Sequence, residues 1–387
     1  MKDIAIVGGG ASGIACAIKL KQLLGDKINV TILEKYSRIG KKILMTGNGK
    51  CNITNTNIDA KYYNSNPNEV LNKFDYSQCQ KFFSDLGLML RVDEAGRVYP
   101  YSEKATTVVD VLLNTLDELG VNIITDYEVG DIKARDRFLV YSNDYQVNNY
   151  DYLVMATGGK ASFSGEYLGY KLLKRLGHHI TDLKPGLVAL KTKENLRSLA
   201  GIRVKGVARI IISGEDIAST EGEILFKNEG LSGIAIFELS RFYQPGAVIS
   251  INLVPGISMK ELNQYFKDGI SIERVLSGIL PKMVYLDIMN RCEDLTKENI
   301  IMKLCNYDFN IIDTYGYENA QITVGGVDTK FLNPFTCESL VVKDMYIVGE
   351  LADIDGNSGG YNLHYAWGSG ITSAIDIAKK IEESEVD

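Results

Sequence analysis

Residues 3–34 read DIAIVGGGASGIACAIKLKQLLGDKINVTILE. Residues 3–7 form an apolar run of strand length, and Gly8, Gly10 and Gly13 follow in G-x-G-x-x-G spacing. Residues 14–24 then set Ile14, Ala17, Ile18 and Leu20 along one side of a helix. Residues 29–33 are rich in β-branched side chains and read as a second strand, closed by Glu34. Each part has a job at a dinucleotide. Gly8 permits the tight turn, Gly10 lets a pyrophosphate approach bare backbone, and Gly13 lets helix and strand pack closely. The N–H groups at the helix start, around Ala11 and Ser12, hold phosphate together with the helix dipole. A carboxylate at Glu34 accepts hydrogen bonds from both ribose hydroxyls and repels a 2′-phosphate. The site therefore suits FAD or NAD rather than NADP.

A chain of 387 residues suggests two or three domains with ample core. Hydrophobic residues make up 45% and charged residues 24%, as in ordinary globular proteins. No apolar run approaches a membrane span, and the first apolar residues are used up by a strand rather than a signal peptide. These readings place the chain in the cytoplasm, away from membranes. The six cysteines form no C-x-x-C pair, and His178, His179 and His364 have no metal-ligand spacing, so no metal is expected. A formal net charge of −7 argues mildly against nucleic acid.

After Glu34 comes KYSRIGKKILMTGNGKCNITN, residues 35–55. It carries Lys35, Arg38, Lys41, Lys42 and Lys50 with no acid, three glycines, and the amides Asn48, Asn52 and Asn55. Following the ribose acid, this loop is expected to pass the pyrophosphate and reach the ring end of the cofactor, with Lys35, Lys41, Lys42, Thr46, Gly47, Asn48 and Asn52 as contacts. A plain solvated basic loop is the alternative. Residues 68–87 read as helical, 106–119 as a helix, and 127–134, 137–141 and 145–147 as a meander, with Val129 among the cofactor contacts. Residues 151–156 form a buried strand that ends in Thr157-Gly158-Gly159, a second close approach to the cofactor. Residues 165–177 read as a helix.

Pro185 and Gly186 mark a boundary. Separated strands follow at 187–191, 204–213, 223–226 and 247–253, and then helices at 259–266, 272–280, 283–291 and 297–305. Between Lys184 and Arg209 there are seven cations and one acid, usually only a solvated face. The cofactor domain resumes near residue 320, giving a discontinuous domain of 1–186 and 320–387, a β-rich insertion at 187–256 and a helical subdomain at 257–319. A buried strand at 345–348 runs into GELADIDGNSGGYNLHYAWGSG, residues 349–370. Gly349, Glu350 and Asp355 fall in its loop. Gly360, Tyr361, Asn362 and Leu363 open a long helix whose start can face the C2 carbonyl and N1 of a flavin. Asp353 or Asp355 can bind a polyol hydroxyl. Gly368 and Gly370 lower helix propensity and point to close packing.

The loop after Glu34, the A-T-G-G turn, EGEILFKNEGLSGIAI (221–236), ITVGGVDT (322–329) and residues 349–370 together resemble the BaiN-like, or aminoacetone-oxidase-like, FAD flavoproteins, nearly end to end. The resemblance implies an α/β fold: a glutathione-reductase-type FAD-binding Rossmann domain with an inserted β-barrel and small helical subdomain. It implies FAD as cofactor, with NADH or NADPH as reductant. It implies reduction of a C=C conjugated to a carbonyl, either uridine in 23S ribosomal RNA, giving dihydrouridine, or a steroid-type enone. Where the family usually carries glutamine, this chain has His364.

With one glycine fingerprint, a separate NAD(P)H domain is not expected, and both half-reactions fall to one flavin. Cys51 is a candidate proton donor, since the neighbouring Lys50 would favour its thiolate. Tyr361 and His364 are rivals, and a small packed residue is the plain alternative for Cys51. Three classes stay open: an RNA reductase using basic stretches 35–50 and 184–209 as one surface, favoured because an insertion of over a hundred residues exceeds what a small acceptor needs; a small-molecule enone reductase with an apolar pocket; and an FAD-binding protein without turnover.

Overall fold

The computed structural model describes residues 1–144, 146–162, 167–267 and 269–385. The chain divides into two compact units, one of Met1–Lys160, Ser164–Lys184 and Ile322–Asp387, the other of Ala161–Phe163 and Pro185–Gln321. In the first unit the apolar runs become a five-stranded sheet in the order Met345–Ile347, Tyr152–Met155, Lys2–Val7, Ile28–Leu33, Asn122–Ile124. Every pairing is parallel. Parallel strands are covered on both faces, which is why these segments read as unbroken apolar runs rather than alternating ones.

The register levels the strand ends. Val7 lies opposite both Leu33 and Met155, and Met155 lies opposite Ile347. Gly8, Glu34, Ala156 and Val348 therefore leave the sheet at one edge. The connections run one way from Lys2–Val7 to Ile28–Leu33 and the other way to Tyr152–Met155. The crevice for a ligand in such a sheet opens at that reversal.

Two helices close the core. The opening helix, Ala11–Leu24, buries Ile14, Ala15, Cys16, Ala17, Ile18 and Leu20 completely. The closing helix, Tyr361–Ser384, packs on it at close range. A Cβ on Gly370 would stand 2.2 Å from the Ser12 carbonyl oxygen, and one on Gly368 3.1 Å from Phe74 and Val70 side chains. The glycines expected to serve packing do so.

The stretch 68–87 is two helices, Asn68–Lys73 and Tyr76–Asp85. Asp75 caps the second through a capping box with Gln78, a D-x-x-Q signal that breaks the apolar periodicity. The helix expected from 165 runs Leu168–Arg175, with 165 and 166 outside the described residues. The third meander strand is Val147–Tyr150, four residues beyond a turn, and Tyr145 lies outside the described residues.

The second unit holds a closed barrel in the order Leu190–Thr192, Gly230–Ser232, Glu215–Lys227, Arg203–Ile212, Val248–Asn252, Tyr307–Thr314. Closure uses Tyr307–Thr314, whose partners are Leu190–Thr192 and Val248–Asn252. The helices Met259–Tyr265, Ile272–Ser277, Lys282–Asn290 and Lys297–Cys305 share one apolar core with the barrel, including Leu276, Val284, Ile300, Ile210, Phe226 and Phe309. No helix among the described residues is long and apolar enough to cross a membrane.

Candidate functional site

Four of the strand exits carry the candidate residues of the first unit. At the first, Gly8 has φ +109°, and a Cβ there would lie 2.4 Å from the Ala156 carbonyl oxygen. Only glycine lets the two exits approach this closely. A Cβ on Gly13 would lie 2.1 Å from the Gly8 carbonyl oxygen, so the helix start is drawn down onto the turn. Gly10 differs: a Cβ there would meet nothing nearer than the Ala156 carbonyl oxygen at 4.0 Å. It opens a cradle that a side chain would partly fill. The N–H groups of Ala11, Ser12 and Gly13 precede the first bond of the helix, from Ile14 N–H to the Gly10 carbonyl at 2.9 Å.

Glu34 is held from two sides. Its Oε2 accepts the Gly9 N–H at 2.9 Å and its Oε1 the Tyr36 N–H at 3.0 Å. A carboxylate has about four lone-pair sites, so capacity for ribose hydroxyls remains. The loop beyond it turns back, with the Gly40 N–H donating to the Gly9 carbonyl at 2.7 Å. Lys41 Nζ stands 4.0 Å from the centre of the Tyr36 ring and Lys35 Nζ 4.9 Å from it. Burial holds the Lys35 ammonium below its ordinary range.

At the third and fourth exits, Lys42 Nζ pairs with Glu350 Oε2 at 2.8 Å, and Glu350 Oε1 accepts the Thr323 N–H at 2.7 Å. Gly158 lies beside this pair, and a Cβ on Gly159 would strike Glu350 Oε1 at 2.5 Å. Thr157 and Gly158 are fastened from behind, because the Tyr167 hydroxyl donates to both of their carbonyl oxygens. The buried Thr157 Oγ1 has no hydrogen-bond partner. Gly349 is bonded through its N–H to Ser369 Oγ at 2.9 Å.

The closing helix begins against the 52–55 run and the Tyr62–Tyr63 pair. Gly360 has φ +104°, and a Cβ on it would lie 2.4 Å from the Thr54 carbonyl oxygen. The N–H groups of Tyr361, Asn362 and Leu363 precede the bond from His364 N–H to the Gly360 carbonyl at 2.9 Å. The Asn362 side chain is occupied: its Oδ1 accepts the Gly356 N–H, and its Nδ2 donates to the Gly356 and Asn357 carbonyls. Tyr361 packs its ring 4.7 Å from that of Tyr62 and edge-on to Tyr63. Asp353 is engaged by Asn64 and Thr181, and Asp355 is buried with its backbone tied to Asn64. Thr46 gives its hydroxyl to the Ile43 carbonyl at 2.7 Å, while Gly47 and Asn48 adopt left-handed backbone conformations. Asn52 is buried with Oδ1 unpartnered, and Val129 is buried in the meander.

Two expectations are corrected. Cys51 is fully buried, and burial pushes its thiol up to about 12. Lys50 does not activate it, because its ammonium is turned to Glu103 at 2.7 Å. Cys51 is a packed neutral thiol. His364 is also fully buried, with Nδ1 2.7 Å from Thr54 Oγ1 and Nε2 2.8 Å from the Phe74 carbonyl oxygen. Burial brings its pKa down to about 4, so the ring is neutral, with both nitrogens committed inside the protein. Neither side chain is placed to exchange a proton with a substrate. Sequence reasoning missed Tyr167, Thr54, Thr323 and Ser369. Thr54, Thr323 and Ser369 lie inside the runs 35–55, 322–329 and 349–370, whereas nothing local marks Tyr167.

Together these groups fit FAD. The open cradle at Gly10, the anchored Glu34 carboxylate and two helix starts match a pyrophosphate, a ribose and a flavin carbonyl edge. A family model described as the HI0933-like protein Rossmann domain matches residues 2–376. The chain is 33% identical to the 3-dehydro-bile acid delta(4,6)-reductase of Clostridium scindens, covering 98% of this chain and 100% of that protein. It is 29% identical to the ribosomal RNA dihydrouridine synthase of Haemophilus influenzae, over 97% of this chain and 98% of that one. In fold it is similar to the crystal structure of 3-ketosteroid delta1-dehydrogenase from Sterolibacterium denitrificans, with a TM-score of 0.51 and 12% identity over 98% of this chain and 99% of that one. The chain belongs to the HI0933-like family and is a BaiN-like, FAD-dependent oxidoreductase.

Proposed function

We propose that this protein reduces a C=C conjugated to a carbonyl, with NADH or NADPH as reductant and a small cyclic enone as acceptor. The observation that carries the reading is the end-to-end similarity to a bile-acid delta(4,6)-reductase at 33% identity. Bound FAD supplies the hydride relay between reductant and acceptor. The chain's own groups do the rest. The opening helix start and Gly10 take the pyrophosphate, and Glu34 orients the ribose. The N–H groups of Tyr361, Asn362 and Leu363 meet negative charge at the pyrimidine edge.

Uridine in ribosomal RNA is the second reading, favoured by the names of the relatives from Haemophilus influenzae and Escherichia coli, at 29% and 28% identity. A uracil ring presents the same conjugated bond. Ion pairing of five of the twelve cations in the two basic stretches counts against it. In 35–50, Lys42 and Lys50 are paired with Glu350 and Glu103. In 184–209, Arg203, Arg209 and Lys191 are paired with Glu223, Asp216 and Asp313.

The test is stopped-flow spectroscopy under anaerobic conditions. The flavin is reduced with NADH or NADPH and mixed with a 3-oxo-Δ4 steroid, while dihydrouridine is measured in ribosomal RNA of a deletion strain. Flavin reoxidation with saturated ketone formed, and unchanged dihydrouridine, is expected. No reoxidation by any enone, with dihydrouridine lost from the deletion strain, would transfer the assignment to RNA.

A further inference from the structure

The C-N-I-T-N run lies along the first turns of the closing helix like a rail. The Trp367 indole N–H donates to the Ile53 carbonyl at 3.2 Å, the Asn55 amide donates to the Gly359 carbonyl at 3.0 Å, and Gly360 sits on the Thr54 carbonyl. At its centre is the bond between Thr54 Oγ1 and His364 Nδ1 at 2.7 Å. The other ring nitrogen of His364 reaches the Phe74 carbonyl at 2.8 Å, and the two rings pack 5.4 Å apart.

Phe74 has its carbonyl to give because the helix Asn68–Lys73 ends there and Asp75 starts the next. A carbonyl only accepts, so Nε2 carries the proton. Nδ1 is then a lone pair, and the Thr54 hydroxyl donates to it. One buried side chain thus ties three separate segments: the 52–55 run, the break at Phe74 and the first turn of the closing helix.

We infer that His364 and Thr54 are positioning residues for the flavin. They fix the Tyr361–Leu363 N–H groups at the height where a ring carbonyl can accept from them. The inference rests on the flavin reading of this helix start. What matters is one acceptor and one donor at the two ring-nitrogen positions, not titration. A glutamine amide supplies the same pair: Oε1 accepts from Thr54 and Nε2 donates to Phe74.

The test uses the full-length protein carrying T54V, His364→Leu or His364→Gln. Each is stripped of FAD and titrated with FAD by fluorescence quenching, with the absorption spectrum and midpoint potential of the reconstituted flavin recorded. Melting of each apoprotein reports folding separately. T54V, which removes one oriented hydrogen bond, is expected to weaken FAD binding by about tenfold, and His364→Leu, which removes two, by at least as much; both are expected to shift the potential. His364→Gln is expected to recover most of the affinity. If His364→Leu does not fold, T54V alone decides, because it keeps shape and removes only the hydroxyl. A lower apoprotein melting temperature with wild-type FAD affinity, spectrum and potential in T54V would overturn the inference. Failure of the wild-type protein to bind FAD would instead sink the flavin reading itself.

Discussion

His364 stands one turn inside the closing helix, with a proton on Nε2 and a lone pair on Nδ1 both in use. Such a ring couples folding to pH. Its ordinary pKa of 6.5 falls to about 4 in the fold because burial disfavours the imidazolium, despite the nearby Asp75 and the Phe74 carbonyl. Between these values the unfolded chain holds a proton that the folded chain does not. Stability is therefore full above about pH 6.5 and falls as pH drops toward 4, by on the order of 3 kcal/mol for this group. Urea unfolding of wild type and His364→Gln across that window checks it. The variant should lose less stability on acidification, and parallel curves would refute the coupling. Cys51 teaches the same lesson: a cation next in sequence is not a cation next in space.

Glycines separate packing from binding among the elements. Gly370 lies where two helices touch, and Gly10 where the opening helix faces an open cradle. In a helix interior, Gly→Ala normally gains about 1 kcal/mol. At Gly370 the added carbon would press on the Ser12 carbonyl at 2.2 Å, so Gly370→Ala should destabilise by about 2 kcal/mol, with the helices forced apart. Gly10→Ala has room, with 4.0 Å to the Ala156 carbonyl oxygen, and should shift stability by less than about 1 kcal/mol. It should nevertheless weaken FAD binding, because the new methyl occupies the pyrophosphate approach. Chemical denaturation of the apoproteins and FAD titration distinguish the two. A Gly370→Ala protein as stable as wild type would mean that the helix contact can relax freely.

Over the whole molecule, charge decides between acceptors. Five of the twelve cations in the two basic stretches, Lys42, Lys50, Lys191, Arg203 and Arg209, become ion pairs in the fold, which leaves fewer cations to displace counterions from RNA. Fluorescence anisotropy with a ribosomal RNA fragment between about 50 and 200 mM salt should give a shallow log–log slope, of magnitude about 3 or less. A slope of about −6 or steeper would restore the RNA reading. Much of the rest was legible beforehand, because the glycine turn, the ribose acid and the closing Gly-Gly helix are local patterns. The apolar runs 3–7, 151–156 and 345–348 also announced strands, which the structure pairs in parallel. The helical stretch 68–87 breaks at Asp75, whose capping role is a local signal that the apolar spacing carries straight through.

What the sequence determined by itself is the dinucleotide turn, the acid that follows the second strand and the buried strands of the sheet, since each rests on short-range spacing and backbone freedom. Only the tertiary structure decided which polar side chains face a ligand and which are spent inside. It buried Cys51 and His364, turned Lys50 to Glu103 and Lys42 to Glu350, and brought Tyr167 behind the Thr157-Gly158 turn. The physical reason is that ionisation and hydrogen-bond capacity depend on burial and on partners hundreds of positions away, and spacing along a chain contains neither.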